Sequence, residues 1–470
     1  MICKARMASG QLNAFQKVML QWSELHPYNA VHVYKIAGPL RRSALLESIN
    51  DTCLFHGVGT VHLSADRQSY RHESAAIAEL AILKESPLAE APLFEHVTRE
   101  LNRPFDRPTC HPFRFSAVDA GPESHYVVLA YDHWVADAYA ARLLARGVLG
   151  RYLGLSIPED DVPLDLYPGT YRTLFGRQLR GVRLALAAAR AVRQWNRNRR
   201  AWRVACWSNT HWAVDHRLYH TIPGAAARLH EFARSIGVSV HDVFLAALGR
   251  AMAQVMPSRG RRGGLALGSI VDTRSVADED LSNTLGAFLG YYLVRSKPDT
   301  SLGLDEAARQ IAAVTGRIKA RQRYLDSLIN MKFVSTLWPW LSESARPHFL
   351  RKSLPMTGGI SNVVVRDPWM TRNRDRILDY SRAATTGPML PLVLSPTTLG
   401  DQLNVAVTYR VAGFSRAKIE TVMELFLEQI EHPNKASRGG QPYRKPATRP
   451  SETTVPQWQQ PVRQAGAAVG

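Results

Sequence analysis

A histidine that follows an apolar segment is the strongest candidate for chemistry in this sequence. The segment YVVLAYDHWVADAY begins at Tyr126 and places Asp132 and His133 directly after six residues typical of a buried strand, with Asp137 four positions beyond His133. Neutral imidazole has an ordinary pKa close to neutrality, so it can take the proton from an amine or alcohol that attacks a thioester. The segment therefore predicts that His133 is a general base in acyl transfer.

The spacing of His133 and Asp137 is not by itself specific. Three pairs share it: His62 with Asp66, His133 with Asp137, and His211 with Asp215. With 16 histidines in the chain, about one such match is expected by chance. Only the middle pair lies between an apolar strand and a helix, and the end of a buried strand is where clefts form. The alternative is that His133 only ends the strand and Asp137 only caps the helix.

A metal site is the main chemical rival. His211, Asp215, His216 and His220 are close in sequence, and His216 and His220 would share one face of a helix as zinc ligands do. However, the alternation of Trp212, Val214, His216 and Leu218 predicts a strand, in which His216 and His220 lie about 13 Å apart. One metal ion cannot bridge that distance, so no metal site is predicted.

Composition excludes several classes of protein. The chain has 470 residues, of which 45% are hydrophobic and 21% charged, so it predicts a globular protein rather than a disordered or collagen-like one. The cysteines are too dispersed for a zinc motif or a disulfide framework: Cys3, Cys53, Cys110 and Cys206. The N-terminal segment lacks the apolar run of a secretory signal, and no apolar run reaches the roughly 18 residues of a membrane span. A cytoplasmic protein is expected.

The basic charge is concentrated in two segments. The net charge is +19, but residues 172–203 contain ten arginines and no acidic residue, and residues 433–470 contain six basic residues and one acidic residue. The other 400 residues therefore carry only +4 (19 − 10 − 5). Because no broad basic groove is indicated, the charge distribution disfavours nucleic acid as a partner.

A helical wheel of the first basic segment separates two faces. Arg183, Arg190, Arg193, Arg197 and Arg200 lie on one side, whereas Leu184, Ala188, Ala191 and Trp195 lie opposite. The simplest interpretation is a solvated helix that rests its apolar side on the protein. Two alternatives stay open: the segment contacts an anionic membrane or an acidic carrier protein, or, less in keeping with the sequence, nucleic acid.

Alternating helices and strands predict an α/β protein with two lobes. The segments with the clearest patterns are strands at 31–36, 126–131, 212–222, 266–271, 291–294, 361–365 and 404–409, with helices at 225–235, 240–255 and 414–431. We divide the chain into a first lobe (1–165), a basic helical connector (166–204), a second lobe (205–432) and a disordered basic tail (433–470). The tail contains six prolines and few apolar residues.

Several segments in order resemble the condensation domains of nonribosomal peptide synthetases. DHWVADA from Asp132 is similar to their H-H-x-x-x-D-G motif, and five further segments resemble theirs: PYNAVHVYKIAGPLRRSALLESI, LNRPFDRPTCHPFRF, SVHDVFLAALGRAM, NTLGAFLGYYLVR and LNVAVTYRVAGFSRAKIE. The similarity spans most of residues 10–432. Wax ester synthase/diacylglycerol acyltransferases and chloramphenicol acetyltransferase are relatives of these domains.

The resemblance implies a fold and roles for individual residues. Two chloramphenicol-acetyltransferase-like lobes would form a V, with His133 in a tunnel that a thioester donor and an acceptor enter from opposite faces. Asp137 would be structural and would pair with Arg274, which follows LGSIVD in the second lobe. No cofactor is implied; an acyl thioester on coenzyme A or on a separate acyl or peptidyl carrier protein would be the co-substrate.

The motif departs from the family at two positions. Asp132 replaces the first histidine and Ala138 replaces the glycine. If Asp132 meets His133, its charge should favour the protonated imidazole and weaken the base, whereas Ala138 adds a Cβ where the backbone could need to approach closely or to adopt an unusual dihedral angle. The D-F-G-W-G segment is also missing between Pro388 and Asp401. These departures leave a second hypothesis, a catalytically silent homologue that binds a carrier protein or a membrane as a scaffold.

An aromatic segment from Met331 to Lys352 has two interpretations. It contains Phe333, Trp338, Trp340 and Phe349. Aromatic amphipathic segments can lie in a membrane interface, but such residues more often belong to a core or line a tunnel. We predict the wall of the tunnel.

Overall fold

The fold was analysed in a computed structural model. The structure describes residues 9–74, 81–84, 91–157, 162–167, 169–176, 181–198, 200–202, 204, 212–257, 263–297, 301–353, 356–387 and 390–437. Cys3, Cys206, His211 and residues 438–470 of the predicted tail lie outside these ranges, as do Arg177, Arg180, Arg199 and Arg203 of the connector.

Helices and strands are mixed along the described chain. The first part contains β1 (Ser9–Gln11), α1 (Ala14–Trp22), β2 (Asn29–Ala37), α2 (Arg42–His56), β3 (Gly59–Leu63), β4 (Ser69–Ser74), β5 (Ala81–Lys84), α3 (Ala91–Asn102), β6 (Thr109–Cys110), β7 (Phe113–Asp119), β8 (Ser124–Asp132), α4 (Ala138–Leu153), α5 (Tyr171–Leu174) and α6 (Gly181–Asn198). The second part contains β9 (Val214–His220), α7 (Ala225–Ser235), α8 (Val240–Val255), β10 (Leu265–Asp272), β11 (Leu289–Ser296), α9 (Leu304–Ala320), α10 (Asp326–Leu337), α11 (Ala345–Ser353), β12 (Gly358–Ile360), β13 (Val363–Val365), α12 (Pro368–Thr371), β14 (Ile377–Ala383), β15 (Leu392–Leu399), β16 (Gln402–Arg410), α13 (Arg416–Glu431) and α14 (Pro433–Ser437).

A five-stranded sheet positions the motif segment. Its order is β14-β2-β8-β7-β5, so β8 lies near the centre between antiparallel partners. The last six residues of β8 are all buried, as the near-continuous apolar run predicts for a central strand. Because Asn29 is paired with Asp132, the start of β2 and the end of β8 meet at one edge of the sheet. The motif begins at that edge.

The second part of the chain builds its own sheet and also completes the first one. The seven-stranded sheet has the order β11-β10-β12-β15-β16-β9, with β13 paired to β15. However, β14 pairs antiparallel with β2, placing Tyr380 opposite Tyr34. The sequence division near residue 205 therefore does not separate the two sheets, because β14 crosses back to the first. A smaller sheet, β1-β4-β3-β6, lies entirely within the first part.

Local signals predict several elements well. Ser239 accepts a hydrogen bond from the Asp242 backbone N–H, and the Asp242 side chain accepts one from the Ser239 N–H, a capping box that begins α8. The helix α7 has the predicted bounds, and α13 begins after the cap Ser415. The predicted strand around His216 is β9. In each case the hydrophobic period and a capping or turn residue agree.

The basic connector helix α6 is oriented differently from the prediction. Ala187 is buried, and the Arg190 guanidinium donates to both carboxylate oxygens of Asp326, at 2.9 and 2.8 Å. Leu184, by contrast, is 42% exposed. The expectation that the apolar side rests on the protein is wrong for Leu184, because a bidentate partner at the start of α10 turns the Arg190 face inward.

The aromatic segment divides between core and surface. Trp338 is buried, and its indole N–H donates to Glu24 at 2.9 Å. Phe333 is 59% exposed and Trp340 is 85% exposed. The predicted tunnel wall is therefore wrong for Phe333 and Trp340, since α10 turns only one side toward α1 and leaves Phe333 in solvent, and Trp340 lies exposed in the turn after α10. Within the part of the chain that the structure describes, no single helix is long and apolar enough to cross a membrane, although the bent pair α7 and α8 meets the length and composition requirement together.

Three buried histidines predict that the fold is sensitive to acid. Burial lowers the pKa of His56, His72 and His216 to about 4 each, and the Leu164 N–H donates to Nδ1 of His56, which must be unprotonated to accept. Because these pKa values lie below the ordinary value of about 6.5, their contribution to stability is complete above that pH and is lost as the pH falls. We expect the free energy of unfolding, measured in urea, to fall by on the order of several kcal/mol between pH 7 and pH 5. Equal values at the two pH values would contradict this expectation.

Candidate active site

His133 lies directly beyond β8 in the turn that leads to α4. Its backbone N–H donates to the carbonyl of Tyr28 at 3.0 Å, which fixes the turn to the start of β2. The side chain is half-buried, whereas Asp132, Trp134, Val135, Ala136 and Asp137 around it are buried. The imidazole is thus held on a rigid support without being sealed from its surroundings.

The hydrogen bonds of the imidazole define which nitrogen can act as a base. Nδ1 lies 3.0 Å from the carbonyl oxygen of Ala136. Because a carbonyl can only accept, Nδ1 carries the proton in the neutral ring and Nε2 presents its lone pair. No described residue hydrogen-bonds Nε2. Burial lowers the pKa of His133, against the smaller opposing effects of its backbone contacts and of Asp137 and Asp132. The ring is therefore neutral at pH 7.

Two tyrosines hold the ring in place. Tyr28 stacks on His133 with the ring centres 5.6 Å apart and an interplanar angle of 23°, and Tyr131 contacts it edge to face at 5.7 Å. Sequence reasoning missed both. Tyr131 could have been noted because it lies two residues before His133 on the same side of β8. Tyr28 could not, since only the pairing of β2 with β8 brings it close.

Asp132 has partners other than His133. Its Oδ2 accepts from Nε and Nη2 of Arg107, at 3.0 and 2.6 Å, and from the indole N–H of Trp134 at 3.0 Å. Burial raises the pKa of Asp132 even though Arg107 and Trp134 favour its charged form. Asp132 does favour the protonated imidazole, as expected, but Arg107 pairs with its charge and burial of the ring outweighs the effect, so the pKa of His133 is lowered.

The structure brings Asp137 and Arg274 together across the two parts of the chain. Nη1 and Nη2 of Arg274 donate to Oδ2 and Oδ1 of Asp137 at 2.7 and 3.0 Å, and both side chains are buried. The same carboxylate accepts from the backbone N–H groups of Tyr139 and Ala140, which caps α4, and from that of Phe288. Burial raises the pKa of Asp137, but Arg274 and these N–H groups outweigh it and hold the pKa below its ordinary value. Asp137 therefore caps α4 and also forms an ion pair with Arg274 of the second lobe.

Ala138 is accommodated without strain. It is the first residue of α4 and is not among the residues with positive φ, so the backbone needs no glycine there. Its carbonyl accepts a hydrogen bond from Nη1 of Arg142 at 3.2 Å. The expectation of an unusual dihedral angle at this position is wrong, whereas the close approach of the backbone stays a prediction.

A buried polar cluster lies beside the site and was not predicted. The hydroxyls of Tyr131 and Tyr380 lie 3.3 and 3.2 Å from the two nitrogens of His32, and Arg142 donates to Asp367 at 2.9 Å. Burial lowers the pKa of His32 well below its ordinary value. The cluster joins β2, β8 and β14, so it depends on the strand that crosses back from the second part, which no local pattern reveals.

The described cavities lie away from His133. One of about 210 Å³ is lined by residues of α8, β11 and α9, including Arg250 and Ile311, and another of about 70 Å³ lies between Tyr126 and His220. His133 lines neither of them. A tunnel to His133 therefore stays a prediction.

Metal ligands do not gather in the described residues. No group of three or more His, Cys, Asp or Glu side chains there could hold a metal ion. On β9, His216 is buried, whereas Nδ1 of His220 donates a hydrogen bond to Oδ1 of Asn404 at 2.8 Å. His211 lies outside the described residues.

Comparison of the whole structure with solved proteins decides the fold. The first condensation domain of the calcium-dependent antibiotic synthetase, in complex with a substrate analogue, matches with a TM-score of 0.68 and 14% identity over 92% of this chain and 98% of that one. The chain has the condensation-domain fold. SgcC5 from Streptomyces globisporus shares this fold with a TM-score of 0.61 and 17% identity, over 92% of this chain and 100% of that one. The X-domain from teicoplanin biosynthesis, solved in complex with OxyB, matches with a TM-score of 0.55 and 16% identity, over 93% and 95%.

No family model matches the chain, and no curated protein matches it. The similarity to condensation domains is therefore one of fold, which confirms the mixed α/β architecture with two lobes that the sequence segments suggested.

Proposed function

We propose that this protein is a condensation-type acyltransferase that uses His133 as a general base. The observation that carries the proposal is the state of the imidazole: Nδ1 is fixed by the Ala136 carbonyl, the pKa is lowered by burial, and the ring is half-buried. A base needs this combination of a neutral ring, a defined tautomer and access for its substrate. The condensation-domain fold supports the choice of acyl transfer.

The proposed acyl transfer uses the lone pair on Nε2 of His133. An amine or alcohol approaches the thioester carbonyl, and Nε2 takes its proton as the new C–N or C–O bond forms. The C–S bond then breaks, and the proton passes from the imidazolium to the departing thiolate, which leaves as a thiol. Tyr28 and Tyr131 hold the ring plane through these steps, while the Asp137–Arg274 pair fixes the start of α4.

The co-substrate would be an acyl thioester on coenzyme A or on a separate carrier protein. Support for a carrier comes from the fold neighbours, one of which is a condensation domain of the calcium-dependent antibiotic synthetase. Donor and acceptor would reach His133 through a passage between the lobes, and no resident cofactor or metal is needed for the proton transfers described. We propose a cytoplasmic location, where such thioesters are made.

A panel of thioesters tests the proposal. The full chain is incubated with acyl-CoA and acyl-carrier thioesters of differing chain length together with amine or alcohol acceptors, and thiol release and the acylated product are measured. We expect release that depends on both acceptor and His133. Thiol release that is equal in the wild type and in H133A, or absent for every donor and acceptor, would overturn the proposed activity.

A silent scaffold is the second candidate. It is favoured by Asp132, which occupies the position of the first motif histidine and is bound to Arg107, and by the fold neighbour solved in complex with another protein, OxyB. A scaffold would bind a carrier protein with the same affinity in wild type and H133A and release no thiol from it. Turnover that depends on His133 would eliminate this candidate.

A further inference from the structure

A cavity of about 210 Å³ lies at the edge of the seven-stranded sheet, between its outermost strand β11 and helices α8 and α9. This volume exceeds the roughly 150 Å³ of a cavity that holds benzene. Lys297 and Gln310 of its wall are exposed, so the cavity opens to solvent between the end of β11 and α9. A small organic molecule can therefore enter it.

The two helices around the cavity run antiparallel. Near the start of α8, Oγ1 of Thr315 donates to Oδ1 of Asp242 at 2.6 Å, whereas near the end of α8 Asp305 acts on the charge of Arg250. Asp305 lies in the first turn of α9, and Thr315 follows about three turns later. The cavity therefore has one end beside Arg250 and the other end toward Asp242.

The end of the cavity beside Arg250 is positively charged. Strand β11 runs toward this end, because the charge of Asp242 acts on Tyr292 and Lys297 comes five residues after Tyr292. Arg250, Arg295 and Lys297 all line the cavity, and no acidic side chain does so among the residues that the structure describes. The complementary ligand is therefore an anion.

The end of the cavity toward Asp242 is apolar. Four apolar side chains form its wall there: Ala246, Val294, Ile311 and Val314. Along the cavity, α9 rises about 10 Å from Ala307 to Val314, and both of these residues line it. The space therefore suits an extended apolar chain of that length, with its charged group at the Arg250 end.

Arg250 carries a charge that its neighbours leave uncompensated. Its Nε donates to Oε1 of Gln429 at 2.7 Å, and the Gln429 amide donates in turn to two backbone carbonyls. Its Nη1 is buried and has no hydrogen-bond partner among the described residues. Burial lowers the pKa of Arg250 against a smaller opposing effect of Asp305, whose carboxylate accepts from Arg309 at 3.0 Å. The guanidinium is thus held in place without an anionic partner of its own in the described chain.

We propose that this cavity binds a carboxylate that carries an apolar chain of about 10 Å. The carboxylate lies against the Arg250 guanidinium, where a charge-assisted hydrogen bond is favourable, and Lys297 adds positive charge at the opening. The chain lies between α8 and α9 along Ala246 and Val314, where its removal from water drives binding. His133 does not line this cavity, so the proposal does not depend on the acyltransferase activity proposed above.

Charge disfavours the segment that follows α14 as the occupant of the cavity. Residues 438–470 contain five basic residues and one acidic residue, and like charges brought together weaken binding. A carboxylate from solution brings the opposite charge through the opening beside Lys297.

Titration calorimetry of the full chain with sodium octanoate, octanol and sodium acetate tests the proposal. Octanol keeps the apolar chain but lacks the charge, whereas acetate keeps the charge but lacks most of the chain. We expect octanoate to bind about tenfold or more tightly than octanol, because the charged hydrogen bond to Arg250 is lost. It should bind roughly a hundredfold or more tightly than acetate, because six methylene groups are no longer buried.

Variants of the cavity wall assign the binding to this cavity. R250M should lower the affinity for octanoate about tenfold to a hundredfold, since it removes the charged donor, and V314S should lower it about tenfold through lost apolar contact. The matched controls are R317M and V411S, because Arg317 is exposed on α9 and Val411 is 40% exposed in a turn. Both controls should bind octanoate as the wild type does, and circular dichroism checks that every variant is folded.

Three results would overturn the proposal. The first is no binding of octanoate, or binding of octanol that is as tight as that of octanoate. The second is equal affinity for octanoate in the wild type and in R250M, which would place the ligand elsewhere, for example beside His133. The third concerns Asp299, which comes two residues after Lys297 and lies outside the described residues. A gain of about tenfold or more in D299N would assign the positive end of the cavity to that carboxylate.

Discussion

Replacing His133 with Ala lowers turnover about 10²- to 10⁴-fold, the contribution expected of a positioned general base. The change removes the Nε2 lone pair, while the turn keeps its backbone hydrogen bond to Tyr28. Turnover is measured on the best donor and acceptor pair from the thioester panel. The matched control is H62A, because His62 has the same spacing to an aspartate but lies in the small sheet, where it pairs with Glu73. H62A should retain wild-type turnover; equal losses in both variants would contradict the role of His133.

The pH dependence of turnover gives a second measurement on the same residue. Burial lowers the pKa of His133, so the base stays neutral to a lower pH than free histidine. Since only the neutral form takes a proton, turnover should be constant near pH 7 and fall only below about pH 6.5. An acid limb with its midpoint above pH 7 would contradict a base held in this environment.

Replacing Asp137 with Ala destabilises the fold by about 3–5 kcal/mol, the usual result of removing one partner from a buried ion pair. The change leaves Arg274 buried without its carboxylate and removes the cap of α4 together with the acceptor of the Phe288 N–H. The midpoint of urea unfolding, followed by circular dichroism, measures the loss.

Two further variants separate the ion pair from the cap. R274M removes the guanidinium but keeps the cap, and it should also be strongly destabilised because Asp137 is then a buried charge with only N–H donors. D272N is the matched control, since Asp272 also contacts Arg274, at 3.3 Å, but is 47% exposed; it should lose less than about 1 kcal/mol. An Asp137 variant no less stable than D272N would contradict the inter-lobe role.

Local sequence patterns were sufficient to predict the strand and helices that carry the site. The apolar run before His133 predicts β8, and Ser239 predicts the start of α8, because both depend on neighbours within a few residues. The Asp137–Arg274 pair joins positions 137 residues apart; it was anticipated only through the resemblance to condensation domains.

The contacts that sequence reasoning missed depend on strand register and on tertiary packing. Tyr28 reaches His133 because Asn29 is opposite Asp132, and Arg107 reaches Asp132 from the segment between α3 and β6. The predicted orientation of α6 was wrong because a helical wheel shows only which residues share a face. It does not reveal a carboxylate on another helix, such as that of Asp326. None of these contacts produces a periodic pattern in the amino-acid sequence.

The strand that crosses back has a consequence for how the chain is made. Because β14 is the neighbour of β2, the five-stranded sheet that supports His133 cannot be completed until residue 383 has left the ribosome. Until then, the newly made amino-terminal half exposes the backbone N–H and C=O groups of β2 along a bare edge, a template on which other nascent chains can add. Splitting the gene between the two halves would make that exposure permanent in the first fragment.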